Sequence, residues 1–351
     1  MEFLIIGAGA IGGSMGAYLV RAGHDVLLVE ADADHVRAMQ AGGLCIEGRH
    51  DFTVPVKATL PQDVGQALAG RKATTVVVAV KSQHTEPAVQ AVLPHLAPDA
   101  CVVSMQNGLN PLAIAALVGP GSTLGACINS MGTDYQEPGR ILYGGPGTIR
   151  LGELDGTISP RVEALVAILR DSWVENTEVT ANIWGHLWSK EAYGAWLFAT
   201  ALTNELMADV MDDPLNRTML ANLAAEVIRV AEAEGVRCEV LDGFAPEAIR
   251  FKAPRDWTGI AASLAAMAGV NRRSKKPRSG IWRDLAVRGR RSEIDAQLGI
   301  VQDRAAAHRI AVPLLDSVVT QIHEIEDKAR AMDLSNLEIL RRIDRETYTV
   351  G

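Results

Sequence analysis

Read from its amino terminus, the chain alternates short unbroken apolar runs with stretches of helical spacing. Phe3 to Ile6 is the first run, Ser14 to Ala22 carries apolar positions three and four apart, and Val26 to Val29 is a second run. An unbroken apolar run suits a parallel strand covered on both faces, so the pattern predicts a strand–helix–strand unit. Thr74 to Val80 and Cys101 to Met105 continue the series, each followed by polar residues. From Gly125 to Leu154 glycines alternate with short apolar stretches, which predicts closing strands and hairpins. After about Asn182 strand-like runs stop. Helical spacing then covers Ile183 to Ala208, Pro214 to Glu234, Trp282 to His308 and Pro313 to Met332, with Pro214 as a start signal and Gly235 as a stop. The expected architecture is an α/β domain over 1–180, built on a doubly wound, mostly parallel sheet, followed by an all-α domain over 181–351.

A chain of 351 residues has enough apolar content to give both domains a core. The formal charge of −8, with basic residues spread along the chain, builds no electropositive footprint, which argues against nucleic acid as a partner. Cys45, Cys101, Cys127 and Cys238 stand far apart without a CxxC pair or a neighbouring His, so neither a disulfide framework nor a metal site is expected. Phe3 to Ile6 lacks a basic leader and runs straight into glycines, and no later run has the length of a membrane helix. A cytoplasmic location and no membrane partner are the expectation.

The chemistry begins at Gly7-Ala8-Gly9-Ala10-Ile11-Gly12, between the first strand and the first helix. Gly7 permits the turn out of the strand, Gly9 lets a pyrophosphate approach the backbone, and Gly12 lets the helix pack on the sheet, with the free N–H groups of the helix start facing the phosphates. This is a Rossmann dinucleotide fingerprint, and all six residues are candidate cofactor contacts. Glu30 ends the second strand, where a carboxylate accepts from ribose hydroxyls and repels a 2′-phosphate; its neighbours Ala31 and Asp32 supply no Arg. NAD(H) is therefore expected over NADP(H). Lys81, Gln83, Gln106 and Asn107 follow strands at the carboxyl edge of the sheet, beside the cofactor. Lys81 is either an anchor for an anionic group or a solvated cation. Asn107 either holds the nicotinamide ribose or a substrate carbonyl, or is the turn residue that an Asn-Gly pair favours.

GAGAIG, AVKSQ, MQNG, LWSK and RRSEID, in this order over nearly the whole chain, make the sequence resemble the ketopantoate reductase (2-dehydropantoate 2-reductase) family. The first motif is common to many dehydrogenases; the last two are more specific. The resemblance implies reduction of a 2-oxo acid to a 2-hydroxy acid by hydride transfer in a cleft between the domains, and a homodimer formed through the helical domain. Matched to the motifs, Lys190 is the general acid, Glu293 supports the site, and Asn107 lies near nicotinamide and substrate. An ammonium suits that step because it stabilises the developing alkoxide and supplies its proton. Without the resemblance, Lys190 is equally a snorkelling helix-edge cation and Glu293 a surface partner of Arg290 or Arg291.

Departures concern the substrate. Where the family carries asparagines one and two turns after the lysine, this chain has Gly194 and Phe198, and the family serine before the last motif is matched by Gly280, with Ser279 adjoining. Loss of those partners predicts a substrate bulkier or more apolar than ketopantoate. Trp188, Tyr193 and Trp196 either line such a pocket or pack the helix. Asn271 to Arg278 is a basic stretch, either solvated or attractive to an anion. Two other readings share the architecture: a glycerol-3-phosphate or opine-type dehydrogenase, and a non-catalytic NAD(H)-sensing protein.

Overall fold

The first strand is buried at every position because helices cover both faces of the sheet it belongs to. The computed structural model describes residues 2–145, 147–274 and 276–348, and the chain divides into two units, Met1–Ile183 and Trp184–Gly351. Among the described residues the first unit has twelve strands: β1 (Phe3–Ile6), β2 (Val26–Val29), β3 (Leu44–Gly48), β4 (Phe52–Val54), β5 (Lys57–Thr59), β6 (Ala73–Val78), β7 (Leu96–Ser104), β8 (Thr123–Asn129), β9 (Gly132–Glu137), β10 (Arg140–Gly145), β11 (Thr148–Glu153) and β12 (Thr177–Val179). The main sheet runs β12-β11-β8-β7-β6-β1-β2-β5 and is parallel except where β11 meets β8. Chain order reverses on either side of β1, between β2 and β6, which creates a ligand crevice at the carboxyl ends of β1 and β6. Of the strands expected between Gly125 and Leu154, only β8 and β11 join this sheet. β9 and β10 instead form a second sheet with β3 and β4, in the order β4-β3-β10-β9.

Helices α1 (Ala10–Arg21), α2 (Ala33–Gly42), α3 (Val64–Leu68), α4 (Thr85–Val92), α5 (Pro111–Val118) and α6 (Pro160–Ser172) complete the unit. One core joins α1 and α6 to the alternate strand residues Phe3, Ile5, Val26, Leu28, Val77 and Val103. The opposite residues Leu4, Ile6, Leu27, Val29, Val76, Val78 and Val102 form the other, with Val89 and Ile114 from α4 and α5. The two-residue period of a strand thus feeds two separate cores.

The second unit is helical: α7 (Ile183–Ala201), α8 (Met207–Asp212), α9 (Arg217–Ala233), α10 (Pro246–Ile249), α11 (Trp257–Arg273), α12 (Gly280–Ala286), a π-turn over Asp295–Gly299, α13 (Ile300–Ala307), α14 (Pro313–Glu326) and α15 (Ser335–Tyr348). The helix expected through Ala208 stops at Ala201, because the last turn tightens and Glu205 N–H donates to Thr203 Oγ1. The span from Trp282 to His308 breaks at Gly289, in the left-handed region at φ +59°. There Asp284 gathers Arg288 and Arg290. The basic stretch begins inside a helix, since Asn271, Arg272 and Arg273 end α11; Lys275 lies outside the described residues. Among the described residues no helix is long and apolar enough to cross a membrane.

Glu226 joins three elements of this unit. Fully buried on α9, it accepts the Leu314 and Leu315 N–H groups of the first turn of α14 at 3.0 and 2.8 Å, and the Tyr348 hydroxyl of α15 at 2.7 Å. Burial raises its pKa from 4.5 to about 7, against the lowering effect of those hydrogen bonds. Between pH 4.5 and 7 the folded chain therefore holds a proton that the unfolded chain has released, and stability falls as pH rises through that window. Glu226→Gln is expected to flatten this part of a stability-against-pH curve measured by urea unfolding. An unchanged slope would show that Glu226 does not set it.

Candidate functional site

Six residues turn the end of β1 into the start of α1. Gly7 has φ +94°, and a Cβ there would lie 2.8 Å from Val80 N, so the turn passes directly over the end of β6. A Cβ on Gly12 would lie 2.0 Å from Gly7 O and 2.9 Å from Ala79 Cβ, which makes glycine necessary for packing. Gly9 differs, since a Cβ there meets nothing within 4 Å. It is the N-cap of α1, no side chain caps the helix, and its first turn carries no acidic residue. An uncapped helix start beside open space fits a pyrophosphate held by backbone N–H groups.

Ala8 is fixed from both sides. Its N–H donates to Glu30 Oε2 at 2.8 Å, and its carbonyl accepts from His35 Nε2 at 2.9 Å. Gly139 N–H donates to His35 Nδ1 at 2.9 Å, which places the ring hydrogen on Nε2. Buried His35 was not singled out in the sequence. Glu30 Oε1 also accepts from Ala31 and Asp32 N–H at 2.7 and 3.0 Å. The carboxylate expected to meet ribose thus first shapes the glycine-rich loop. Asp32 caps α2, Arg37 is paired with Asp34, and Glu30, Asp32 and Asp34 together help raise the Tyr135 pKa, after burial as the largest cause.

At the ends of β6 and β7, Lys81, Gln83 and Asn107 are exposed. Gln106 corrects its expectation. It is buried, with its amide donating to Val80 O and Thr85 Oγ1 at 2.8 Å each, so it ties strand ends together and presents nothing to a ligand. Asn110 donates to Ser82 Oγ at 2.9 Å and to the Asn107 carbonyl, and Thr85 donates to Asn110 Oδ1 at 2.9 Å. These buried polar residues anchor the backbone beneath Asn107 and leave its side chain outward. Scattered Ser, Thr and Asn at loop ends carry no pattern by which a sequence reading finds such a network.

In the helical unit, Lys190 on α7 is half-buried. Gly194 follows one turn later, and a Cβ on it would lie 3.9 Å from Gln297 Oε1 in the π-turn. Glu293 stands one turn before Gln297, whose N–H donates to the Glu293 carbonyl at 3.0 Å. Neighbouring Ser292 is held by Glu326 Oε1, which accepts its N–H and hydroxyl at 2.7 Å each; that carboxylate is 1% exposed. His323 bridges the same Glu326 and Asp295 at 3.2 and 2.9 Å. Arg291 pairs with Glu326 and Asp327, so Arg291 is an ion-pair partner of α14.

Phe198 corrects its expectation, because it is 0% exposed and has no surface left for a ligand. Trp196 is core as well, donating from Nε1 to Leu220 O at 2.6 Å, and Tyr193 is bonded to Asn271. Ser279 is buried and caps α12 by accepting Trp282 N–H at 3.1 Å. Gly280 is exposed, and a Cβ there would meet nothing within 4 Å. In the basic stretch, Arg272 pairs with Asp212 and Asp209, and Arg278 donates to Asn204 O and stacks over Trp282. These arginines are matched within the chain and form no phosphate cradle. All four cysteines are free thiols, and no metal-binding cluster exists among the described residues.

Two family models cover most of the chain: ketopantoate reductase PanE/ApbA over residues 3–156, and its C-terminal domain over residues 182–326. The chain belongs to the ketopantoate reductase family. It is accordingly a nicotinamide-dependent oxidoreductase acting on a CH–OH group. A 2-dehydropantoate 2-reductase of Halobacterium salinarum is 29% identical over 320 residues, 90% of this chain and 95% of that protein. The crystal structure of a PanE/ApbA family ketopantoate reductase from Ralstonia eutropha JMP134 superposes with a TM-score of 0.77 at 29% identity, covering 93% of this chain and 99% of that one. A D-mandelate dehydrogenase solved with NADH shares the fold, with a TM-score of 0.78, 20% identity and coverage of 93% and 99%.

The second and third glycines of the loop, Gly9 and Gly12, separate packing from binding. Gly9→Ala is expected to keep the wild-type melting temperature while weakening cofactor binding at least tenfold, because its methyl fills the space left for phosphate. Gly12→Ala is expected to lower the melting temperature by several degrees, because its methyl has no room. Thermal melts with cofactor titrations monitored by fluorescence check both.

Proposed function

We propose that this ketopantoate reductase relative reduces a 2-oxo acid to the corresponding 2-hydroxy acid, with NADH as its preferred cofactor and Lys190 as general acid. The observation that carries the reading lies in the helical unit. The face of α7 that bears Lys190 and Gly194 meets the π-turn that follows Glu293, so two elements with chemistry-bearing residues face each other. When bound, the nicotinamide supplies the hydride. The Lys190 ammonium steadies the negative charge that develops on the substrate oxygen and passes a proton to it, and Glu293 holds that ammonium in place. Asn107, on an anchored backbone, offers its amide to the nicotinamide ribose or the substrate carbonyl. Gly7 to Gly12 supply the turn and N–H groups for the pyrophosphate, and Lys81 and Gln83 flank it.

The preference for NADH rests on charge. Glu30, Asp32 and Asp34 cluster at the end of β2, and the nearby Arg37 is already paired with Asp34, so a 2′-phosphate would meet carboxylates. The substrate is bulkier or more apolar than ketopantoate, because Gly194 and Gly280 carry no side chain at positions where the family places polar ones. The same reading includes a homodimer, which light scattering checks.

An oxidation assay with NADH across ketopantoate and branched and aromatic 2-oxo acids tests the reading. Turnover of at least one, with kcat/KM for NADH about tenfold above NADPH, is expected; failure with every 2-oxo acid despite NADH binding would overturn it. Lys190→Ala should lose about a thousandfold in kcat and keep the cofactor Kd within a few fold. Activity near wild type would remove Lys190 from the role of acid.

A further inference from the structure

We infer that Gln297 determines substrate specificity, its side-chain amide binding a polar substituent of the 2-oxo acid across the notch left by Gly194. The inference rests on the roles of Lys190 and Glu293 proposed above and goes beyond them by naming the group that reads the substrate.

Gly194 follows Lys190 by four residues and Gln297 follows Glu293 by four, so each lies on the same side of its element as a residue assigned to the chemistry. The two positions point at each other, since a Cβ built on Gly194 would stand 3.9 Å from Gln297 Oε1, in ordinary van der Waals range. Gly194 is buried, and because it carries no side chain the amide oxygen faces bare α7 backbone. Gln297 is half-exposed, and no hydrogen bond joins its side-chain amide to another of the described residues. Its neighbours are engaged: Asp295 with His323, and Ser292 with Glu326. Gln297 alone in this turn presents a neutral donor and acceptor toward the notch. Gln297 lies within the π-turn over Asp295–Gly299, one turn after Glu293.

An amide suits a hydroxyl or carbonyl, to which it both donates and accepts, and it discriminates against an apolar isostere that leaves it unpaired. Gln297 would thus rank substrates of similar bulk by their polarity in the notch.

The test compares kcat/KM for two matched pairs differing by one hydroxyl: ketopantoate with 3,3-dimethyl-2-oxobutanoate, and 4-hydroxyphenylpyruvate with phenylpyruvate. In whichever pair the wild-type enzyme turns over, Gln297→Leu is expected to lower the preference for the hydroxylated member about tenfold or more. The change should appear mainly in KM, with NADH affinity and melting temperature unchanged. Adding Gly194→Asn to Gln297→Leu supplies an amide from the opposite wall and should restore part of the preference, which a merely structural role of Gln297 would not allow. An unchanged preference in Gln297→Leu, in an enzyme that still reduces 2-oxo acids, overturns the inference and leaves the proposed function standing. A wild-type enzyme inactive on all 2-oxo acids overturns both.

Discussion

The backbone of Ala8 is held between a carboxylate on one side and an imidazole on the other, and the shape of the cofactor loop depends on that arrangement. Glu30 arrives from β2 and His35 from α2, so a single residue of the loop is bonded to two elements that follow it in the chain. A helix start offers its N–H groups to phosphate only if the turn before it does not relax to satisfy them internally. Pinning Ala8 prevents that, while Gly7 and Gly12 let the turn lie against β6. His35 extends the arrangement to the second sheet through Gly139. The small sheet is therefore tied to the dinucleotide loop by a buried hydrogen-bonded ring.

Buried carboxylates serve similarly in the helical unit. Glu226 accepts the first N–H groups of α14 and the Tyr348 hydroxyl, and Glu326, at the other end of α14, accepts from Ser292. One helix is thus fixed at its start by α9 and at its end grips the segment that leads into Glu293. A carboxylate that accepts several hydrogen bonds is a strong anchor because leaving any of those buried donors unpaired is costly. The acidic residues of the chain thus include ones that order backbone beside the candidate site residues.

Much of the fold was legible because it rests on local periodicity. The apolar runs of β1, β2, β6 and β7 and the glycine spacing before α1 each impose a conformation on a short segment, whatever surrounds it. The family motifs marked Lys190, Glu293 and Asn107 as candidates by resemblance. What escaped were features whose partners lie far apart in the chain. The second sheet pairs β3 with β10, about a hundred residues later; α11 was missed because its many small residues mark its apolar face weakly, and α15 because its apolar residues, though on one face, are few among many charged ones.

The sequence by itself determined that this is a dinucleotide enzyme with a Rossmann domain and a helical domain, since those properties follow from spacing within a few turns of chain. Only the tertiary structure decided what individual polar residues do. It made Glu30 and His35 the supports of the loop, moved Gln106 and Phe198 into the core, and set Gln297 opposite Gly194. The physical reason is that a side chain's role is set by which donors, acceptors and surfaces reach it, and those come from segments whose distance in sequence carries no record of their meeting.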